Sequence, residues 1–382
     1  MSDVAIETRS IRLAAIEAFC FRAPLKTPLR VAFGTFRDRP SVLVRVLDID
    51  GTEGWGEAWS NFPTVGAEHR ARLVAEVVGP RLLGRSFSSP QEAFRTLTSE
   101  LEVLVLQTAE VGPIAQAIAG IDIALWDLAA RKSGVPLYRL LGGAATHELP
   151  VYATGLSPDD PHIVAAQWYA SGHRAFKLKT GFGADTDIKN IATLRKTLGD
   201  ATLMIDSNQA HRLEDAIEMS RAAAPYSLAW FEEPLRIDAP IEDWRSLASA
   251  STIPLAGGEN FRGEDFDRAL DDRILTVFQP DVTKWGGFTG TLPVARKALA
   301  AGRRYCPHYF GGGLALLASL HLLAAVGGDG FLEFDAYDNV VREVVIGSLL
   351  PVSEGRVPVP QSPGLGAVPD LAALAPYRTW PL

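Results

Sequence analysis

Ile205-Asp206-Ser207-Asn208, Phe231-Glu232-Glu233-Pro234 and Gly257-Gly258-Glu259-Asn260 decide the reading of this chain. Each segment carries an acidic residue behind a short apolar run. Asp206 and Glu232 stand 26 positions apart, and Glu232 and Glu259 stand 27 apart. A strand, a helix and two loops fill a length of that order in a repeating β/α unit. The spacing therefore predicts three successive parallel strands of one barrel, each delivering a carboxylate to the same mouth. Carboxylates converging there repel one another unless a cation neutralises them. Ligation by oxygen alone suits a hard divalent ion, Mg²⁺ in the first place.

Outward from these segments the pattern continues. Short apolar runs at 150–153, 175–179, 203–206, 228–231, 254–256, 276–279, 304–306 and 330–333 alternate with alanine-rich helical stretches. Eight strand candidates at intervals of roughly 25 residues predict a (β/α)8 barrel. The N-terminal part reads differently. Residues 11–60 read as strands, with a β-branched run at 41–47, a hairpin signal at Asp50-Gly51 and Gly54-Trp55-Gly56-Glu57-Ala58 in the returning strand. Residues 67–142 read as helical. Within 115–132, Ile118, Ile121, Leu125 and Leu128 share one face, and Gly134 with Pro136 ends the helix. The fold class is thus α/β, a TIM-like barrel preceded by an α+β domain. The expected division is 1–142, 143–340 and a C-terminal segment 341–382. Past Asn339 helical periodicity is lost, and the proline-rich tail from 357 is expected to pack back over the N-terminal domain.

Bulk properties exclude several classes. The chain has 382 residues, 47% of them hydrophobic and 21% charged, with a formal net charge of −8. That length exceeds one small core. The acidic balance argues against nucleic acid as a partner. Any anionic substrate must be drawn by local cations or a metal. Cys20 and Cys306 are far apart and suggest no disulfide framework, so a cytoplasmic setting is expected. Residues 1–12 carry charges and no apolar core, unlike a signal peptide. The longest apolar stretch, 312–328, is broken by Ser319 and His321 and suits a buried barrel helix rather than a membrane span.

Barrel chemistry gathers at the C-terminal ends of the strands. Those ends carry Lys177 and Lys179, Asp206 and Asn208, Glu232, Glu259, Asp281, His308 and Glu333. A strand also ends in a polar residue simply because a loop begins, but a chance set would hold more neutral residues. Lys177 and Lys179, two apart, point to one side of a strand. Two neighbouring ammonium groups depress each other's pKa, which a proton-abstracting lysine needs. Asp281 and His308 fall at the ends of adjacent strands, where the carboxylate would hold the imidazole tautomer and raise its basicity. The other histidines read as surface or core residues, with His211 nearest a strand mouth. A lysine, a His–Asp pair and a metal fit removal of a proton beside a carboxylate.

These residues resemble the enolase superfamily and, within it, the mandelate racemase branch. Lys177-Leu178-Lys179 is similar to its Lys-x-Lys motif. The three acidic segments resemble its metal-ligand segments. Gln279-Pro280-Asp281 with Lys284-Trp285-Gly286-Gly287, then Pro307-His308, resembles its Asp–His dyad. Gly120-Ile121-Asp122 through Trp126-Asp127, with Leu141-Gly142-Gly143, resembles the end of its capping domain. The resemblance implies that Asp206, Glu232 and Glu259 bind Mg²⁺. It implies Lys179 as the base on one face, with Lys177 tuning it or touching the substrate carboxylate. It makes His308, oriented by Asp281, the acid or base opposite, and has Glu333 hydrogen-bond the substrate. Asn208 and Glu233 fall at the edge of the metal site. In the family the capping domain sets specificity. Two loops there, 24–40 and 59–70, offer Lys26, Arg30, Phe33, Phe36 and Arg37, and Trp59, Asn61 and Phe62. Arg30, Phe33, Trp59, Asn208 and Tyr309 are the expected substrate contacts.

The leading expectation is an Mg²⁺-dependent acid-sugar dehydratase acting on a small carboxylate. Racemisation or epimerisation, and cycloisomerisation of a sugar lactone, share the same first step. Local similarity at 179–183, 152–155, 333–335 and 362–366 is to acid-sugar dehydratases and galactarolactone cycloisomerase-like members. A non-catalytic metal and sugar-acid binder predicts a damaged base, yet Lys179, Asp281 and His308 are present. A metal-dependent aldolase would use histidine ligands instead. The family resemblance implies a homo-oligomer.

Overall fold

The computed structural model describes residues 10–31, 34–63, 65–144 and 146–381. The N-terminal sheet is an antiparallel meander of β1 (Ile11–Val31), β2 (Gly34–Asp48) and β3 (Glu53–Ala58), with the short β4 (Ser86–Phe87) beside β1. The turn at Asp50-Gly51 closes with Asp48 N donating to Thr52 O at 2.9 Å. Of the stretch 24–40, expected as a loop, residues 24–31 and 34–40 are instead the far ends of β1 and β2, with Leu29 opposite Phe36. The stretch 59–70 runs from a loop into the helix Gly66–Arg72. Helical structure over 67–142 is broken by β4, between Gly66–Arg72 with its extension and the helices Pro90–Thr108 and Val111–Ser133.

Val111–Ser133 is the central strut. It is long and apolar enough to cross a membrane, yet 78% of its most apolar window is buried inside the fold. It ends at Gly134, whose φ of 68° lies in the left-handed region that glycine enters without steric cost. Strand β3 lies flush on this helix because two of its residues lack a Cβ. A Cβ on Gly54 would stand 2.2 Å from Ala124 O, and one on Gly56 would stand 2.3 Å from Gly120 O. The two acids of the helix are buried and bind neighbouring segments. Asp122 accepts from Thr289 N at 3.0 Å and Thr289 Oγ1 at 2.6 Å. Asp127 accepts from Trp55 N at 2.8 Å, Leu365 N at 2.6 Å and Arg131 Nε at 2.7 Å.

The second half alternates strand and helix. The strands are β5 (Glu148–Leu156), β6 (Ala175–Lys179), β7 (Thr202–Asp206), β8 (Phe231–Glu232), β9 (Leu255–Gly257), β10 (Val277–Phe278), β11 (Arg304–Tyr305) and β12 (Leu332–Asp335). Consecutive strands pair in parallel from β5 to β11, and β12 returns to β5. Across the remaining seam Phe331 N reaches Cys306 Sγ at 3.4 Å. In register Lys179 lies opposite Asp206, and Asp206 opposite Glu232, so these three groups share one level of the barrel mouth. The apolar run 312–328 is the buried helix Gly313–Val326.

Beyond Asn339 the structure departs from expectation. A further helix, Val340–Ile346, begins where the Asn339 side chain accepts from Arg342 N at 3.2 Å. A side-chain cap supplies the nucleus of a helix too short to show periodicity. The tail then adds β13 (Arg356–Pro358) to β5, and β14 (Arg378–Trp380) to β1 of the N-terminal sheet.

Substituting Gly56→Ala should push β3 off the helix and lower stability by about 1–3 kcal/mol, the usual cost of overpacking. Gly34→Ala, with nothing within 4 Å of the added carbon, should change the denaturant midpoint little. Equal midpoints for the two variants would show that the close approach is not required.

Candidate active site

A cavity of about 840 Å³ opens between the C-terminal ends of the barrel strands and the N-terminal sheet. Its walls include Lys179 at the end of β6, Asn208 after β7, Glu233 after β8, Glu259 and Asn260 after β9, Lys284 after β10, His308 after β11, and Glu333 of β12. Asp206, Glu232 and Lys177 lie beneath, each almost wholly buried.

Lys177 is sealed into the barrel. Its Nζ lies 2.5 Å from Glu232 Oε1, 2.8 Å from Glu333 Oε1 and 3.7 Å from Asp206 Oδ2. Glu232 also accepts from Trp230 Nε1 at 3.0 Å and Gln279 Nε2 at 2.7 Å. Lys179 reaches the cavity, with Nζ 2.5 Å from Asp206 Oδ2 and 3.0 Å from Asn208 Oδ1. The expected mutual depression of the two lysines is not what the site produces. Burial pulls both pKa values down, but the surrounding carboxylates outweigh it, and both lie above the ordinary lysine value. Lys177 also has no surface on the cavity, so direct contact with substrate is not open to it in this arrangement.

His308 sits three strand positions around the barrel from Lys179, with β12 and β5 between. Its Nδ1 is 2.7 Å from Asp281 Oδ2 and its Nε2 is 2.8 Å from Glu259 Oε2. Asp281 is held in turn by Thr283 N at 2.8 Å and Thr283 Oγ1 at 2.6 Å. Burial lowers the imidazole pKa, but Glu259, Glu333 and Asp281 overcome it and hold His308 well above its ordinary value.

The acids split in the opposite way. Despite burial, His308 and then Lys284 hold Glu259 well below the carboxylate range. Glu233 is pushed well above it, first by burial and next by Glu259. Burial lifts Glu232 to about 7 against the pull of Lys177. Among the described residues no three His, Cys, Asp or Glu side chains form a ready-made metal cage. Ammonium and imidazolium groups occupy the carboxylates instead. Lys284 Nζ is 3.2 Å from Glu259 Oε2 and 2.8 Å from Asn260 Oδ1.

The other expected contacts divide. Asn208 and Trp59 line the cavity, and the Trp59 ring lies 4.9 Å from Lys284 Nζ. Tyr309 also lines it, but its hydroxyl donates to the backbone carbonyls of Gly311 and Gly312, at 2.7 and 3.1 Å. The hydroxyl is thus committed to the loop, while Tyr309 N donates to Glu333 Oε2 at 2.8 Å. Phe33 and the Arg30 side chain lie outside the described residues. Lys26 points away, 3.1 Å from Asp338. His211 lines a separate hollow and bonds Ser207.

Sequence reasoning missed Asn260, the part played by Lys284, and Glu57. Glu57 of β3 accepts from Gly312 N at 2.6 Å, Ala315 N at 2.9 Å and Ser41 Oγ at 2.7 Å, anchoring the start of the helix Gly313–Val326. The available signal was an acid at the same strand parity as the buried Trp55.

Comparison with known proteins agrees with this geometry. Residues 15–142 match the mandelate racemase/muconate lactonizing enzyme N-terminal domain, and residues 163–373 match the enolase C-terminal domain-like family. The chain is 31% identical to a D-galactarolactone cycloisomerase of Agrobacterium fabrum, over 96% of this chain and 99% of that one. It is similar to the crystal structure of a mandelate racemase/muconate lactonizing enzyme from Bordetella bronchiseptica RB50, with a TM-score of 0.91 and 49% identity, covering 97% of this chain and 100% of that one. A racemase from Streptomyces coelicolor A3(2), solved with bound magnesium, gives a TM-score of 0.86 at 29% identity, covering 96% and 100%. Its relatives include acid-sugar dehydratases, cycloisomerases and an epimerase. With both halves matched and the lysine pair, acidic segments and His–Asp pair gathered at one barrel mouth, the chain belongs to the enolase superfamily, on its mandelate racemase branch.

Proposed function

We propose that this protein removes the α-proton of a hydroxy-carboxylate to form an enediolate, with Mg²⁺ bound, and that the outcome is loss of a β-hydroxyl from an acid sugar. The observation that carries this reading is Lys179 facing the same cavity as the His308–Asp281 pair, beside a floor of carboxylates.

The donor set fits a divalent cation. Asp206, Glu232 and Glu259 are oxygen donors whose present partners are the lysine and histidine charges around them. Burial and the field of Glu259 push the Glu233 carboxyl well above its ordinary range, as expected where acids crowd together. Asp206, Glu232 and Glu259 would hold the ion, with Asn208 and Glu233 at its edge. Bound there, Mg²⁺ supplies positive charge to substrate oxygens as the α-proton leaves.

Lys179 accepts a proton only as the free amine. It must first part from Asp206, whose charge favours the ammonium form. His308 acts as the acid in its protonated form, with Asp281 fixing the Nδ1 side. Its Nε2 proton is free for a leaving hydroxyl when Glu259 is engaged elsewhere. Lys177, locked between Glu232 and Glu333, positions Glu333 rather than reacting. Glu333 faces the cavity and can accept from a substrate hydroxyl. A ring oxygen leaving in place of hydroxyl would give cycloisomerisation, and the 31% identity to a cycloisomerase favours that as the second reading.

In D₂O with Mg²⁺, ¹H NMR should show loss of the α-proton signal from an acid sugar or its lactone, and a chelator should abolish it. Absence of exchange across a panel of mono- and diacid sugars, their lactones and other hydroxy acids, with Mg²⁺ binding demonstrated, would remove the enolate reading. Lys179→Met should reduce elimination by about 10²–10⁴-fold, the range for a positioned acid or base. His308→Asn should reduce elimination similarly while leaving α-proton exchange measurable. Elimination that needs protonated His308 should fall as pH rises through its elevated pKa. Asp281→Asn, which removes one of the carboxylates that raise it, should move that fall to lower pH.

A further inference from the structure

Lys179 and Asp206 turn into the mouth, so the next residue after each turns behind it. Those residues are Thr180 and Ser207, both almost wholly buried. Their hydroxyls meet at 2.7 Å, and Ser207 Oγ lies 3.0 Å from His211 Nε2. The three side chains span the tops of β6, β7 and β8. The His211 ring packs edge-on against Phe231 of β8, 5.8 Å between centroids, and His211 N donates to Pro234 O at 3.1 Å. None of the three lines the main cavity.

The turn they bracket is strained and faces the reaction. Asn208 and Gln209, between Ser207 and His211, have φ of 43° and 66°. Asparagine enters this left-handed region at modest cost, glutamine less readily. Such conformations persist only where neighbours hold them. Both side chains line the main cavity. Asn208 Oδ1 receives Lys179 Nζ at 3.0 Å, and Asn208 N donates to Asp206 Oδ1 at 2.8 Å. Backbone bonds already join the strand ends, from Thr180 N to Asp206 O at 2.8 Å and from Ser207 N to Glu232 O at 3.1 Å. The hydroxyl pair adds a side-chain tie between the neighbours of Lys179 and Asn208. A buried hydroxyl needs a partner, and that need is met once Thr180 and Ser207 find each other. His211 goes beyond it and closes the chain across the strained turn.

We propose that Thr180, Ser207 and His211 form a clamp of positioning residues. Their side-chain hydrogen bonds hold Lys179 and Asn208 in the relative placement that removal of the α-proton requires. The inference rests on the preceding reading of Lys179 as the base.

The test uses the full chain loaded with Mg²⁺ and the acid sugar or lactone whose α-proton exchanges fastest in D₂O. Thr180→Val removes the hydroxyl at nearly constant size, Thr180→Ser keeps it, and His211→Phe keeps a ring on Phe231 without Nε2. Thr180→Val and His211→Phe should each lower kcat for α-proton exchange at least about tenfold with KM little changed, as expected when a reacting group is displaced. Thr180→Ser should retain most of the wild-type rate. Amide hydrogen exchange followed by mass spectrometry should quicken in 179–183 and 206–211 for the two disrupting variants alone. Wild-type kcat in both disrupting variants, equal loss in Thr180→Ser and Thr180→Val, or loosening spread over the whole barrel would overturn the proposal. Should the wild-type chain exchange no α-proton of any acid, the enolate reading fails and amide exchange alone decides the clamp. Loops loosened in the two variants then sustain it, and unchanged loops overturn it.

Discussion

The arrangement of the mouth depends on burying charge in balanced sets. Lys177, wholly enclosed, would be untenable alone in the barrel, because removing an ammonium from water is costly without close opposite charge. Glu232 and Glu333 supply that charge from two sides, with Asp206 slightly farther away. The same contacts fix both carboxylates, and β8, β12 and β6 are thereby set relative to one another. Lys179 with Asp206, Lys284 with Glu259, and His308 between Glu259 and Asp281 repeat the logic one layer higher, where the cavity begins. Floor and reactive groups therefore form one electrostatic unit, and a change in any member is felt by the others.

A second constraint joins the domains. The N-terminal sheet contributes to the cavity only if it is held square to the barrel, and buried polar contacts hold it. Asp122 binds Thr289 of a barrel helix, and Asp127 binds both β3 and the tail at Leu365. Glu57 receives the N–H groups that open the helix Gly313–Val326, and Arg39 pairs with Asp335 at the end of β12. Each joins segments far apart in the chain. Such contacts are strong where fully satisfied and damaging where broken, which suits an interface that must not slide. The loop carrying His308, Tyr309 and Phe310 lies between two of these anchors.

The floor gathers ionisable groups away from bulk water, where the proposed proton removal would need them to stabilise growing charge.

Much of this was legible in the chain itself. Spacing between Asp206, Glu232 and Glu259 marks parallel β/α units because strand and helix lengths are set locally. The run 175–179 coincides with β6, since its alternation meets the barrel wall on both faces. The lysines, the histidine and the acids that meet at the mouth were marked by their place at strand ends. What depends on distance was not legible. Two adjacent lysines suggest mutual depression of pKa, and only the tertiary structure shows that carboxylates from three other strands reverse the sign. Strand β8 is shorter than its apolar run, and residues 24–31 and 34–40 are strand rather than loop, because pairing partners decide where extended backbone becomes a strand. Tyr309 looks available until Gly311 and Gly312 take its hydroxyl. Local sequence determined which groups exist and at what period they recur. Long-range packing decided which charges meet, because Coulomb and hydrogen-bond energies depend on separations in space that chain order does not encode.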